Sequence, residues 1–489
     1  MNRIVFLPVD ERFCTRDYFI LACNAMNIEI ITPPKDLLGK KKVPPDMTVL
    51  LGWLDKNIQP SDLLVLSIDM LVYGGLIPSR IGIEKYSTLE NRLNLLKAFK
   101  SRQTKIYATS ALTRIPAYNM SEEEPDYWDY FGETIYKLSK EYTKKQPEET
   151  FKIFLRHHND ELHDWIIDDL CERRERNFKV IEKTIDLLNQ GIIDFYNLVL
   201  DDNSENSMSI FEANQHALHI KENNLTHKVS IHPGADEAAL TLLSRAMCDH
   251  FHYSPKFKIE YINSDFKAYI PPYEGSPFKE SLKNHIEAAG GKITDENEDI
   301  LFIANNPINK LNSDQQKKDS INDYSVLNSI DTTKRIISFS DPKYVNGADN
   351  QFVERILNKQ IDWKTANYSG WNTSGNTIGT SCALSILQYF GKTNDLSINE
   401  SEIEQLMSIL LLEHWGFQAN VRMMLLNEVK KKGIHSWTII PYENWGEKFV
   451  EENLKPFLKQ IKKTIKHEPK DLEVYFPWHR SFEIGIKLQ

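Results

Sequence analysis

The residues with the plainest chemical potential are Asp201 and Asp202, two adjacent carboxylates that end the apolar run Tyr196-Asn197-Leu198-Val199-Leu200. Where a buried strand meets solvent, both acids lose water and each raises the other's cost of ionising. That is a costly arrangement for a pair without a task. Mutual repulsion keeps one proton on such a pair near neutral pH, so one carboxyl can protonate a leaving oxygen while the other orients the substrate or stabilises charge. Glycoside cleavage divides its labour in this way. The plainer alternative is a capping pair, a metal-site pair, or two surface acids of a loop.

A second group is Gly370-Trp371-Asn372-Thr373-Ser374-Gly375-Asn376-Thr377. The amides of Asn372 and Asn376 suit sugar hydroxyls, and the Trp371 indole suits the apolar face of a sugar ring. A turn with Ser374 or Asn376 capping the following helix explains the same residues. His232 ends an apolar run, and Asp236-Glu237 open an amphipathic stretch, where acids favour the helix dipole. Asp349 sits in the turn-like Asn346-Gly347-Ala348-Asp349. Asp10, Glu11 and Arg12 follow the first apolar run and suit an internal ion pair. Arg12 and Arg114 equally suit a ligand carboxylate or phosphate. In Arg156-His157-His158-Asn159-Asp160, a helix cap at Asn159 or Asp160 fits better than metal chelation by adjacent histidines.

These residues share a position along the chain. Short β-rich runs at 4–9, 28–32, 63–68, 105–109, 196–200, 229–231, 258–262, 300–304 and 335–339 alternate with helical stretches. One such stretch, from Leu162 to Leu188, closes at Gly191. Continuous apolar strands separated by helices imply an α/β protein with a mostly parallel sheet covered on both faces. Charged and polar residues gather after these runs, among them Asp10, Asp69, Tyr73, Arg114, Asp201, Asp236 and Asp341, and a shared cleft at strand C-termini is the economical explanation. A (β/α)8-barrel-like sheet with additional α/β and helical C-terminal parts is expected, although an open doubly wound sheet fits the same pattern. The expected division is a catalytic domain over 1–308, a polar linker over 309–333, and an α/β to helical region over 334–489 that contributes to the site. No fixed-period repeat stands out.

Bulk properties narrow the function. With 489 residues, 41% hydrophobic and 26% charged, the chain reads as a globular protein of more than one unit. A net charge of -10 argues against nucleic acid as a partner. The five scattered cysteines lack Cys-x-x-Cys spacing and read as reduced packing residues. No segment approaches the roughly 20 apolar residues of a membrane span, and Met1 leads into too short an apolar run for a secretory signal, so a cytoplasmic location without membrane partners is expected. Missing phosphate-loop, dinucleotide and nucleophile-elbow strings lower the weight of nucleotide hydrolysis, nicotinamide redox and serine esterase chemistry.

The segment from Gly191 to Asp202 resembles the loop-strand-Asp-Asp signature of bacterial O-GlcNAcase and hyaluronidase-like β-N-acetylglucosaminidases. That resemblance implies that Asp201 holds the substrate's acetamide and Asp202 acts as acid and base. More broadly, Leu7-Pro8-Val9-Asp10-Glu11-Arg12, Ser67-Ile68-Asp69, Tyr73-Gly74-Gly75, Leu200-Asp201-Asp202, Pro233-Gly234-Ala235-Asp236-Glu237, Asn346-Gly347-Ala348-Asp349 and Gly370-Trp371-Asn372-Thr373 resemble DUF4127, a mostly bacterial family without an assigned activity. The leading expectation is a glycoside hydrolase acting on a small N-acetylhexosamine-containing glycoside. Asp201 and Asp202 are its catalytic residues. Asp10, Arg12, Asp69, Tyr73, Arg114, His232, Asp236, Glu237, Asp349, Trp371, Asn372 and Asn376 bind the substrate. Neither metal nor cofactor is required, and a homo-oligomer is compatible. Two alternatives stay open: a divalent-metal hydrolase or phosphotransferase using Asp10, Asp69, Asp201, His232 and Asp236, and a non-catalytic sugar binder.

Overall fold

The computed structural model describes residues 3–201, 203–309, 323–330, 335–393, 395–466 and 471–488. The chain forms two compact units. The first comprises the chain up to Glu11 with Ile31–Ala235, and the second comprises Arg12–Ile30 with Asp236 onward. The main division therefore falls at 235/236, with shorter crossings at 11/12 and 30/31, rather than at 309–333. Of that expected linker, 310–322 and 331–333 lie outside the described residues.

In the first unit, strands β1 (Ile4–Leu7), β2 (Ile30–Ile31), β3 (Leu63–Ser67), β4 (Lys105–Leu112), β5 (Phe195–Leu200) and β6 (Val229–Pro233) form one sheet in the order β2-β1-β3-β4-β5-β6. Every pairing from β1 to β6 is parallel, with Val5 opposite Leu64, Val65 opposite Tyr107 and Leu198 opposite Ile231. Residues of β1, β3 and β5 are buried throughout, as strands covered on both faces must be. Three helices supply much of that cover at i, i+4 spacing: Leu50 and Leu54 from Met47–Asn57, Leu89 and Leu93 from Tyr86–Ser101, and Ile181 and Ile185 from Asp164–Asn189.

The second unit repeats this order with new strands. β7 (Lys256–Tyr261), β8 (Lys292–Ile293), β9 (Ile300–Ala304), β10 (Ile336–Ser340) and β11 (Ala366–Ser369) run parallel in the order β11-β10-β9-β7-β8. An antiparallel hairpin, β12 (Leu472–Tyr475) with β13 (Gly485–Leu488), follows. In each sheet the second strand is a two-residue edge beside the first, and the third strand starts the run on the other side. The winding direction reverses between β1 and β3, and again between β7 and β9. Such reversal leaves two edges, so among the described residues neither sheet closes, and the barrel expectation gives way to two open doubly wound sheets. Strand composition is the same for both architectures; strand order is not written in periodicity.

The long helix Ser374–Lys392 has 17 of its 19 residues buried although many are polar. Ser381 and Ser385 donate to carbonyls four residues back, those of Thr377 and Ser381, at 2.9 and 2.7 Å. Asn367 of β11 donates to Ser385 Oγ at 3.0 Å and to Gln388 Oε1 at 2.9 Å, while Ser338 of β10 donates to Asn367. One amide thus satisfies three buried groups. Among the described residues no helix is long and apolar enough to cross a membrane.

Replacing Asn367 by Ala strands the buried Gln388 Oε1 and removes a donor from Ser385, and is expected to cost about 2–3 kcal/mol, read as a lower urea midpoint with an unchanged slope.

Candidate functional site

In the first unit, carboxyls at the ends of β3 and β5 acquire opposite characters. Ser67, the last residue of β3, caps the helix Ile68–Tyr73 by accepting from Asp69 N at 3.1 Å. Asp69 therefore stands in the helix's first turn, where its Oδ2 accepts from the Ala111 N–H of β4 at 3.0 Å and from Ser67 Oγ at 3.4 Å. The helix ends at Gly74, whose φ of 87° is left-handed and whose added Cβ would lie 2.9 Å from Pro44 and Pro45 atoms. Burial pushes Asp69 up to about 7, against the pull of the Ala111 and Ser67 hydrogen bonds, and the charge of Asp201 adds to the rise.

Asp201 has a cation instead. Arg80 Nη2 lies 2.5 Å from its Oδ2, and the same guanidinium reaches Glu123 and Glu124 at 3.2 Å each. Arg114 bridges Glu123 at 2.9 Å and Glu124 at 3.7 Å and donates to Tyr118 Oη. Burial raises the Asp201 pKa, but Arg80 and Arg114 outweigh it and hold the carboxyl below its ordinary value. Glu124 goes the other way: burial dominates over both arginines and pushes it to about 7. A cavity of about 20 Å³, room for one water, opens beside Arg80, Arg114 and Glu124. Asp202 lies outside the described residues. Arg80, Glu123 and Glu124 were missed from sequence. An arginine in the apolar helix Leu76–Ile81 was the available sign, whereas Glu122-Glu123-Glu124 reads as a solvated run.

The second unit buries a separate set. Two π-helical segments, Phe13–Asp17 and Leu412–Val421, are wide turns of a kind that often marks functional positions. Tyr18 follows the first, and Glu413 and His414 lie on the second. Gly370 N–H donates to His414 Nδ1 at 3.2 Å, so Nε2 carries the imidazole proton and donates to Tyr18 Oη at 3.0 Å, and Tyr18 in turn donates to Glu413. Burial drives His414 down to about 3 and keeps it neutral. Burial also lifts Glu413 to about 8, opposed by the Tyr18 hydrogen bond and aided by Glu483. This is a neutral proton chain of three side chains.

Most expected substrate-binding residues turn out to be enclosed and internally engaged. Trp371, only 5% exposed, lies parallel to His414 at 5.8 Å and donates to Thr380 Oγ1, so its ring faces are committed to packing. Asn372 adopts φ 50° and donates to Asp236 at 3.3 Å; Arg12 donates to the other Asp236 oxygen at 2.7 Å and lies over the Trp478 ring. Thr373 is the helix cap, a place the sequence assigned to Ser374 or Asn376. Asn376 donates instead to Glu237 at 2.6 Å. Asp349 caps the helix Asn350–Leu357 and pairs with Lys343 at 3.1 Å, while Asp341, on the same network through Asn305, is pushed well up by burial and by Asp349. In the first unit, His232 is buried with Nδ1 donating to Pro233 O, Tyr73 is buried under Arg176, and Asp10 is buried. Asp69, Asp201 and Arg114 are the expected residues that the first unit brings into one electrostatic cluster.

The family model described as "Protein of unknown function (DUF4127)" matches residues 4–487. The chain belongs to the DUF4127 family. No curated protein matches it. For this DUF4127 protein, two stability measurements follow from the buried charges. Arg80→Met removes the guanidinium that Asp201, Glu123 and Glu124 share and is expected to cost about 3–5 kcal/mol in chemical unfolding. Glu413 titrates at about 8 when folded against an ordinary 4.5, so the folded chain holds a proton that the unfolded chain releases between those values. Its contribution is full below pH 4.5 and is lost as pH rises toward about 8. Glu413→Gln, which mimics the protonated acid, is expected to lose less melting temperature than the parent between pH 5 and 9. An equal loss refutes the assignment.

Proposed function

We propose that this protein hydrolyses small glycosides containing an N-acetylhexosamine, with Asp69 as proton donor and Asp201 as its ionised partner. The observation that carries the reading is the divergence of these two carboxyls within the first unit: burial keeps a proton on Asp69 to about pH 7, and Arg80 with Arg114 keeps Asp201 charged. Environments that push two acids apart assign general acid and anion, and glycoside cleavage needs one of each. Asp69 would give its proton to the leaving glycosidic oxygen. Asp201 would stabilise the positive charge that builds at the anomeric carbon, or orient the acetamide that attacks it. This moves the acid from Asp202 to Asp69 and keeps the anion where the sequence placed it.

The location also supports the reading. Asp69 and Asp201 follow β3 and β5 at the C-terminal edge of a parallel sheet; β3 adjoins the point of reversal, where open α/β sheets bind ligands, and β5 lies two strands further along. A cation shared among Asp10, Asp69, Asp201, His232 and Asp236 draws no comparable support, because Asp69 engages Ala111 N–H, Asp201 engages Arg80 and Asp236 engages Arg12.

Release of 4-nitrophenol from its N-acetyl-β-D-glucosaminide tests the proposal. The parent's turnover is expected to fall as pH rises through about 7, since the donor must be protonated. Asp69→Asn is expected to lose about 10²–10⁴-fold in kcat. Full turnover by Asp69→Asn, or none by the parent on a panel of N-acetylhexosaminides, sinks the reading.

A further inference from the structure

In the second unit, residues 264–277 join β7 to the helix Phe278–Ala288 with only Pro271 and Glu274 buried. Phe266, Ile270 and Tyr273 are 44%, 47% and 64% exposed, so packing of large apolar side chains does little to hold the segment. Tyr273 adopts φ 65°, a left-handed conformation unfavourable for a bulky side chain, immediately before the buried acid. The start of the segment is fixed, since Asn263 N–H donates to Asn306 Oδ1 and Asn263 Nδ2 to Asn306 O, both at 3.1 Å. Its later part is tied to the following helix by Phe278 N–H on Tyr269 O and Lys279 N–H on Lys267 O, at 2.9 Å each. What joins it to the helix Ser374–Lys392 is Glu274, whose Oε1 accepts from the Gly375 N–H at 2.8 Å in that helix's first turn. Glu274 Oε2 is buried and accepts no hydrogen bond among the described residues.

A carboxylate removed from water needs several donors, and one N–H is too few; a neutral carboxylic acid makes the same contact at far lower cost. We propose that residues 264–277 form a pH-sensitive strap, seated on the first turn of the Ser374–Lys392 helix while Glu274 is protonated and released from it when Glu274 ionises. Burial pushes Glu274 up to about 7, against the Gly375 N–H and the charge of His285, and the charge of Glu237 adds to the rise. The two ionisable neighbours act in the same direction as pH increases. Glu237, the residue before the helix Ala238–Phe251, repels an ionised Glu274. Burial works to lower His285, on the helix Phe278–Ala288, but its hydrogen bond and attraction to Glu237 outweigh burial and hold it above its ordinary value. As His285 loses its proton, the cation that opposes this repulsion disappears. The strap keeps its backbone contacts to Phe278 and Lys279 when Glu274 leaves, so the movement uncovers the Gly375 N–H without unfolding the helix behind it.

Hydrogen exchange of the full chain, read by mass spectrometry from pH 5 to pH 9 and corrected for intrinsic exchange, tests the strap. The closed form holds the Glu274 proton to about 7 and an open form releases it at an ordinary 4.5, so closure is strongest below 4.5, weakens up to about 7 and is level above that. Protection of Gly375 and of 264–277 is expected to fall roughly 70-fold between pH 5 and pH 8. Glu274→Gln keeps an acceptor for the Gly375 N–H without a charge, and its protection is expected to change less than about threefold over the same range. Should that variant fail to fold, chymotryptic cleavage of the parent after Phe266 and Tyr273, normalised to an unstructured peptide, decides; a rise with pH that levels above about 7 is expected. Protection or cleavage in the parent that ignores pH, an equal loss in folded Glu274→Gln, or loss spread evenly over the second unit overturns the proposal. Neither measurement uses glycoside turnover, so the strap and the glycosidase reading can fail separately.

Discussion

A carboxylate removed from water must be given a cation, a set of N–H donors or a proton, and much of this protein's interior is arranged around that requirement. Asp201 receives Arg80, and Asp349 receives Lys343. Asp69 receives a backbone N–H and, up to about neutrality, a proton. Glu413 keeps a proton to about 8 with a tyrosine hydroxyl beside it. Each solution leaves a different chemical species behind: a fixed anion, a capped ion pair, a titratable acid, a neutral relay. Function in such an interior is set less by which acid is present than by what compensates it.

The architecture explains why these acids collect where they do. A parallel sheet buried on both faces has no use for charge along its strands, and β1, β3 and β9 are apolar almost throughout. Charges of those strands are relegated to their ends, and at C-terminal ends the first turns of following helices supply N–H groups and caps: Ser67 before Asp69, Asp349 before Asn350, Thr373 before Ser374. Because both units use the same second-first-third strand order, each has a reversal point with such ends around it. The two units solve one packing problem twice.

Much of the fold was legible. All nine apolar runs correspond to strands, and in β1, β3, β9 and β10 continuous burial writes itself as continuous apolarity. β11 was not seen because Ala-Asn-Tyr-Ser carries buried polar groups that answer to Gln388 and Asp341, partners distant in sequence. β8 is two exposed residues and carries almost no pattern. Strand order, and with it the choice of open sheets over a barrel, depends on which strands pair, and local periodicity is silent on pairing. Site residues divided similarly. Asp69, Asp201 and Arg114 announce themselves as charges after apolar runs, whereas Glu123 and Glu124 look like a solvated run until the chain folds over them, and Arg80 is marked only by the apolar helix that carries it. Trp371 misled in the opposite direction: among glycines and amides it suggests an open sugar platform, but its ring is consumed by His414 and Tyr18.

Arg80 shows how a residue invisible in a motif can assign the roles of those that are visible. Its guanidinium cannot be deprotonated in the working range, so Asp201 stays charged to lower pH than an ordinary carboxyl. That fixed negative charge is one of the terms raising Asp69, which lacks a cation of its own. The acid and the anion are thus set by different means: burial keeps the proton on Asp69, to which the charge of Asp201 adds little, while Arg80 keeps Asp201 ionised. Glu123 and Glu124 keep that guanidinium in place through shared contacts at 3.2 Å. Because Glu124 is itself raised to about 7, the network sheds part of its negative charge below that value without releasing Asp201. A buried cluster with more acids than bases can in this way remain intact across the pH range in which Asp69 changes state.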